Sequence, residues 1–246
     1  MKAVILAAGK GTRLAPYSGI LPKPLMPIGL DGEGAFEPIL DRLLLQLGRA
    51  GAIEVVIAVN YLAEAILRHA GDGSRHGLKL SYVFQERLDG NAGAFWRAAH
   101  LVAGDDVIVA DSDNLMSDDD VFASMAETHR REGAALTVGV CEVERIEKFA
   151  IIKTDGSGAP VDIFEKPTDR AVWGNLAKSG LMILSPEVAA LDPAISLAPN
   201  GELTTTGIVK HCIETGKKVS LHRIDGGFND IGTWDEYIRV FSARLR

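Results

Sequence analysis

Lys2-Ala3-Val4-Ile5-Leu6-Ala7-Ala8-Gly9-Lys10-Gly11-Thr12-Arg13-Leu14 is the stretch whose reading decides the fold. Ala3 to Leu6 are apolar at every position, which suits a strand buried on both faces rather than one with a wet side. The run breaks at Gly9-Lys10-Gly11 after too few apolar residues for a signal peptide, so it reads as a strand leading straight into a loop. Gly9 and Gly11 let the backbone take positive φ and approach a ligand closely, so successive N–H groups can form an anion-binding nest. Lys10 and Arg13 add cationic donors, and Arg13 can grip a phosphate with two bonds. Pro22-Lys23-Pro24 then holds a third cation on backbone stiffened by both prolines. As a group these residues suit a triphosphate. A dinucleotide fingerprint would need glycine or alanine where Leu14 stands, and the GK[ST] of a Walker loop is absent. Any one of these residues alone would pass for an ordinary turn with surface charge.

Outward from this loop, short apolar runs alternate with helical patterns. Val55 to Val59, Leu78 to Phe84, Val107 to Ala110 and Leu136 to Val140 read as strands. Pro38 to Ala50, Leu62 to Ala70, Ala92 to Val102 and Asp118 to Arg131 read as helices, the last with Asp residues in its first turn. That alternation implies an α/β fold with a mainly parallel sheet covered on both sides. The second half is less regular. Phe149 to Lys153 and Val161 to Phe164 flank Asp155-Gly156-Ser157-Gly158, a hairpin signal. Ala177 to Leu184 reads as a further strand, and Leu203 to Glu214 and Trp234 to Leu245 as helices. With no linker, repeat or low-complexity tract, residues 1–246 read as one domain, an α/β half carrying a smaller β-rich part.

The composition agrees. A chain of 246 residues with 47% hydrophobic and 24% charged residues can bury a sizeable core and is unlike a disordered protein. A net charge of -7 argues against nonspecific binding of nucleic acid, so polyanionic substrates need locally concentrated cations or a divalent metal. Cys141 and Cys212 lack any CxxC or His/Cys ligand spacing and read as buried reduced thiols. No apolar run approaches the roughly 20 residues of a membrane helix, so the expected compartment is the cytoplasm. The histidines, His129 and His211 among them, show no metal-ligand spacing, and Trp96, Trp173 and Trp234 read as packing residues, with Trp173 near enough to Glu165-Lys166-Pro167 to stack on a ligand.

LAAGKGTRL at 6–14 followed by PKPLMPIG at 22–29 resembles the signature of sugar-1-phosphate nucleotidylyltransferases such as glucose-1-phosphate thymidylyltransferase and uridylyltransferase, and the likeness continues along nearly the whole chain. The resemblance implies a Rossmann-like three-layer α/β sandwich with a small β-rich sugar-binding part. It implies condensation of a nucleoside triphosphate with a sugar 1-phosphate, releasing pyrophosphate. It places Leu6, Ala8, Gly9, Gly11, Thr12 and Arg13 around the nucleotide, with Arg13 and Lys23 catalytic. The attacking phosphate oxygen is already an anion, so the reaction needs charge neutralisation and in-line positioning rather than a general base. Mg²⁺, held by one or two carboxylates, would supply much of this.

Asp111-Ser112-Asp113-Asn114 follows the strand Val107 to Ala110, at the strand end where α/β sheets place ligands. The family carries Gly-Asp here, which implies Asp113 as a metal ligand and Asn114 as a substrate contact; Asp111 is the other candidate for the metal. Asp230, in Phe228-Asn229-Asp230-Ile231-Gly232, resembles the family's second metal ligand, with Gly226-Gly227 and Gly232 permitting approach to the glycine loop. An amide can read a base edge, and the segment Gln85 to Gly93 resembles the base-binding loop of thymidylyl- and uridylyltransferases, with Gln85 and Gly90 in the matching places, a resemblance that implies UTP or dTTP. Glu165-Lys166-Pro167 resembles the family's Glu-Lys-Pro, in which Glu accepts sugar hydroxyls and Lys acts on the sugar-linked phosphate; Lys178-Ser179-Gly180 would line the sugar pocket.

There are departures. Phe149-Ala150 stands where the family has an aromatic followed by Gly, Gly207 where an Asp is common, and Asp31 to Phe36 lengthens a loop. These leave the sugar unnamed, and Asp-Ser-Asp-Asn also resembles phosphocholine cytidylyltransferases of the same superfamily. A non-catalytic nucleotide-sugar-binding subunit is the contrasting reading, opposed by the retention of Lys10, Arg13, Lys23, Asp113 and Asp230. The chain ends at Arg246 without hexapeptide repeats, so no appended acyltransferase is expected. The expected partners are the two substrates, with neither nucleic acid nor membrane; a homo-oligomer is compatible with the sequence.

Overall fold

The computed structural model describes residues 1–226 and 228–245; Gly227, expected to help approach the glycine loop, and Arg246 lie outside the described residues. The first half runs β1 (Lys2–Ala7), β2 (Pro27–Leu30), β3 (Phe36–Pro38), α1 (Ile39–Arg49), β4 (Glu54–Val59), α2 (Ala63–Ala70), β5 (Lys79–Phe84), α3 (Asn91–Ala98), β6 (Val107–Asp111), β7 (Asn114–Met116), α4 (Val121–Glu132) and β8 (Leu136–Glu142). The second half runs β9 (Ala150–Thr154), β10 (Pro160–Glu165), α5 (Arg170–Trp173), β11 (Leu176–Leu184), α6 (Pro186–Ala189), α7 (Thr205–Glu214), β12 (Val219–Arg223), β13 (Phe228–Asp230) and α8 (Trp234–Arg244).

A nine-stranded mixed sheet organises the chain, in the order β10-β9-β11-β6-β1-β4-β5, with β8 and β12 continuing beside β11. β1 lies parallel to both β4 and β6, and β11 is the antiparallel strand beside β6. Alternate residues of β1 serve opposite layers, as a period of two requires. Ala3, Ile5 and Ala7 pack with Leu40, Leu44 and Leu47 of α1, Ile66 of α2 and Phe122 of α4. Val4 and Leu6 pack with Phe95 and Ala98 of α3 and Ile208 and Cys212 of α7. The chain is therefore the three-layer α/β sandwich expected, and the Asp155–Gly158 turn joins β9 and β10 in the expected antiparallel hairpin. No helix among the described residues is long and apolar enough to cross a membrane.

Some boundaries differ for physical reasons. α4 begins at Val121, so Asp118–Asp120 precede the helix instead of forming its first turn. The Asp118 carboxylate accepts from the Asp120 N–H at 2.9 Å, a local turn that competes with helical bonding. α7 begins at Thr205, two residues later than its apolar pattern, because the Thr204 hydroxyl caps it by accepting from Gly207 N–H at 3.0 Å. The short pairs β2–β3 and β7–β13, and β12 alongside β8, are additions to the sequence reading.

Candidate active site

The glycine loop leaves the carboxyl end of β1 and turns at Gly11, whose φ is 60°. That left-handed turn sets Thr12–Leu14 into one short 3₁₀ turn, with Leu14 N–H bonded to the Gly11 carbonyl at 2.9 Å. Leu14 is buried with Met26, Ile28, Leu115 and Ile231 in a small separate core beneath the loop. Trp234 donates to the Ala15 carbonyl at 3.2 Å, tying the loop to α8. Leu6, Gly9, Gly11, Thr12, Arg13 and Lys23 line a 220 Å³ cavity that Ser112, Asp113 and Gly232 close from the other side.

β7 and β13 make the site's key juxtaposition. They pair antiparallel with Asp230 opposite Asn114, and Ile231 N–H donates to the Asp113 carbonyl at 3.0 Å. Asp113 and Asp230, 117 apart in sequence, become neighbours. Burial and then the Asp113 charge push the Asp230 carboxyl above the usual range. Lys23, only 9% exposed, bonds Asp113 Oδ2 at 2.7 Å. Burial raises Asp111 to about 7, against the opposing pull of Lys178 and with added repulsion from Asp113 and Asp230. Like charges crowded this way favour an incoming cation. Two hard oxygen donors with room for phosphate and water suit Mg²⁺, and no group of three or more His, Cys, Asp or Glu that could hold a metal ion occurs among the described residues. All three aspartates feel one another, and it is the β7–β13 register, with Ile231 N–H on the Asp113 carbonyl, that sets Asp113 directly beside Asp230.

Beside the glycine loop, a 330 Å³ cavity is lined by Leu6, Ala8, Gln85, Leu88, Gly90 and Glu202. The Gln85 amide is 2% exposed and its nitrogen donates to Asp89 Oδ1 and to the Gly90 carbonyl, both at 2.9 Å. Both partners can only accept, so the amide orientation is fixed and only its oxygen remains for a ligand. Arg97 holds the other Asp89 oxygen at 3.2 Å. Asp89 and Glu202 are matched to no motif position in the sequence, although the short gap from Gln85 to Asp89 is a signal for the first. Glu202 reaches the cavity only because Leu203 N–H bonds the Asp89 carbonyl at 2.7 Å, a long-range contact with no local signal.

On the far side of the aspartates, Asn114, Glu165, Lys178, Asp111, Asp113, Asp230 and Arg13 face a third cavity of 180 Å³. Asn114 Oδ1 is buried there without a partner among the described residues. Glu165 accepts from Thr206 Oγ1 at 3.0 Å, so the 204–207 segment contributes a hydroxyl where a carboxylate was looked for. Lys166, at φ 53°, sits on an adjoining 630 Å³ trench rather than in this cavity. Trp173 packs against Phe164, with ring centroids 5.1 Å apart and the planes tilted by 35°.

Known proteins resemble this chain in sequence and in fold. The nucleotidyl transferase family model matches residues 2–246. The low-salt glycan biosynthesis nucleotidyltransferase of Haloferax volcanii is 30% identical over 98% of this chain, and the glucose-1-phosphate thymidylyltransferase of Streptomyces griseus is 30% identical over 98%. The chain spans 65% of the length of each, less than two thirds. A solved UDP-glucose pyrophosphorylase complexed with UDP-glucose superposes with a TM-score of 0.84 over 98% of this chain and 97% of that one, at 21% identity, a likeness of fold.

Proposed function

We propose, from the premise that this chain belongs to the nucleotidyl transferase family, that it is a nucleotidylyltransferase joining a nucleoside triphosphate to a sugar 1-phosphate. One observation carries the proposal: the Asp113–Asp230 pair lies between a cation-lined phosphate cavity and a polar acceptor cavity. A non-catalytic binder would gain nothing from keeping two mutually repelling carboxylates side by side there.

In this reading Gly9, Gly11, Thr12 and Arg13 hold the triphosphate, and Lys23 steadies Asp113. Asp113 and Asp230 would hold Mg²⁺, which when bound neutralises the α-phosphate and the departing pyrophosphate. An acceptor phosphate oxygen forms the new bond to the α-phosphorus while the α–β bridging bond breaks, its electrons leaving on pyrophosphate. Glu165, fixed by Thr206, accepts acceptor hydroxyls, and Asn114 offers its unpartnered oxygen to the same molecule. The free Gln85 oxygen can accept from the N3–H of uracil or thymine, which supports UTP or dTTP. The sheet running through both halves supports reading residues 1–246 as one folding unit.

The test is pyrophosphate release with Mg²⁺, scanning UTP, dTTP, CTP and GTP against sugar 1-phosphates and phosphocholine. Release with UTP or dTTP and a sugar 1-phosphate is expected. Measurable nucleotide binding with no release from any pair would sink the enzyme reading, and release with CTP and phosphocholine would replace the acceptor.

A further inference from the structure

The turn that carries Asp230 into helix α8 is held by Glu236, a side chain that lines none of the three site cavities. One Glu236 carboxylate oxygen accepts twice, from Thr233 Oγ1 at 2.9 Å and from Gly232 N–H at 3.2 Å. Thr233 accepts in return from the Glu236 N–H at 3.4 Å, the reciprocal cap of a Thr-x-x-Glu box. The other Glu236 oxygen meets Lys148 Nζ at 3.1 Å. Burial pushes the Glu236 carboxyl up, but the Lys148 and Thr233 hydrogen bonds outweigh it and hold the group below its ordinary value.

Both partners of this carboxylate lead to the reacting groups. A Cβ on Gly232 would lie 3.0 to 3.2 Å from three guanidinium atoms of Arg13, so the Arg13 head rests directly against the turn. Arg13 faces the phosphate cavity and the acceptor cavity alike, so the lie of its head decides which phosphate oxygens it meets. Lys148 belongs to the wall of the acceptor cavity, where its neighbour Phe149 packs edge-on against Phe228 with ring centroids 5.6 Å apart. The turn's other side is already fixed by Ile231 N–H on the Asp113 carbonyl. One carboxylate thus joins the metal-side turn, the triphosphate cation and the acceptor wall.

We propose that Glu236 is a positioning residue for Arg13, holding the Gly232 turn against its guanidinium, and that through Lys148 it ties the acceptor wall to the same turn; this rests on the nucleotidylyltransferase reading above.

The experiment compares wild type, Glu236→Gln, Glu236→Ala and Lys148→Met. Glutamine keeps both bonds to the turn through its carbonyl oxygen but forms no ion pair with Lys148, whereas alanine loses both. The triphosphate Kd is expected to weaken about tenfold in Glu236→Ala, the scale of one charge-assisted hydrogen bond. It stays within about twofold in Glu236→Gln and Lys148→Met. Turnover in Glu236→Ala falls about 100-fold, the effect of roughly 1 Å of misplacement. Glu236→Gln and Lys148→Met each raise the acceptor KM about threefold, and the double variant no further, because both break one ion pair. Uridine, which carries no phosphate, binds every variant within about twofold of wild type, an arm that a general loosening of the fold would move. Should Glu236→Ala not fold, Gly232→Ala displaces the guanidinium from the turn itself and repeats the triphosphate and uridine arms. The proposal is overturned if Glu236→Ala keeps its triphosphate Kd, if glutamine does not restore it, or if uridine binding falls in step. It is equally overturned if Lys148→Met leaves the acceptor KM unmoved, or if its effect adds to that of Glu236→Gln. A wild type that releases no pyrophosphate overturns the nucleotidylyltransferase reading instead, and the triphosphate and uridine arms then decide the role of Glu236 by themselves.

Discussion

Gly180 leaves no room for a side chain at the floor of the acceptor cavity. A Cβ there would lie 2.1 Å from Asn114 Nδ2 and 2.6 Å from Asp111 Oδ2. Gly180→Ala therefore wedges apart groups that would touch the acceptor, and overpacking of this kind typically costs about 1–3 kcal/mol. Melting should show that modest loss, while pyrophosphate release should fall about 100-fold, the effect of roughly 1 Å of misplacement. Wild-type turnover in Gly180→Ala would separate this floor from the acceptor. The aspartates respond differently. Asp230→Asn removes one of two repelling charges, so the apo fold should hold or gain stability, whereas Asp113→Asn also takes the carboxylate from buried Lys23 and should lose some. Turnover should nevertheless fall by more than about 100-fold, beyond what disturbing outer-shell groups of a metal site costs. If Asp111→Asn is inactive while Asp113→Asn is active, the pairing inferred from the β7–β13 register is wrong.

Among the elements, the loop between β5 and α3 shows how the base cavity is held. Gly90 has φ 109°, and a Cβ on it would sit 2.1 Å from the Leu203 carbonyl. Asn91 pairs twice with Thr205, its amide nitrogen donating to the hydroxyl at 3.0 Å and its oxygen accepting from the backbone N–H at 2.9 Å. This zipper fixes Asp89, which fixes Gln85. Gly90→Ala combines a strained backbone, about 1–3 kcal/mol, with a clash that opens the zipper. Its expected signature is a raised KM for the triphosphate and an unchanged KM for the acceptor; equal rises in both would mean a general loss of fold. The same loop marks the limit of sequence reading. Gln85 and Gly90 were legible because a glycine and an amide follow a clear apolar strand. Asp89's hold on Gln85 was not, since it depends on side-chain geometry within the loop. The main strands and helices were legible because period-2 and period-3.6 apolar patterns report burial directly. β7 and β13 were not, for a three-residue strand has no period to detect and forms only when a distant partner arrives. The candidate metal pair Asp113 and Asp230 is thus legible only by motif resemblance, and its adjacency needs the fold.

For the whole molecule, function concentrates at the carboxyl ends of β1 and β6 while much of the stability sits in the two layers behind them. One polar cluster in the α1–α2 layer is separate from the site and makes stability testable without touching catalysis. Asp41 of α1 bonds His69 of α2 at 2.7 Å and Arg75 of the following turn at 3.2 Å, with His76 at 3.5 Å. Burial pushes the Asp41 carboxyl up, but the His69 and His76 hydrogen bonds and the His69 and Arg75 charges outweigh it and hold the group well below the usual carboxylate range. A carboxyl whose folded pKa is depressed binds protons more tightly in the unfolded chain, so its contribution is present above the unfolded value and is lost as pH falls toward the folded one. Asp41→Asn should therefore be less stable than wild type at neutral pH by about 1–3 kcal/mol, the range for hydrogen bonds to a charged group. Denaturant unfolding followed from pH 7 downward should show the gap closing only below the ordinary carboxylate pKa of about 3.9. Pyrophosphate release at pH 7, well below the melting range of either protein, should be alike in both. A gap that persists unchanged into acid would mean that Asp41 acts by packing rather than by charge.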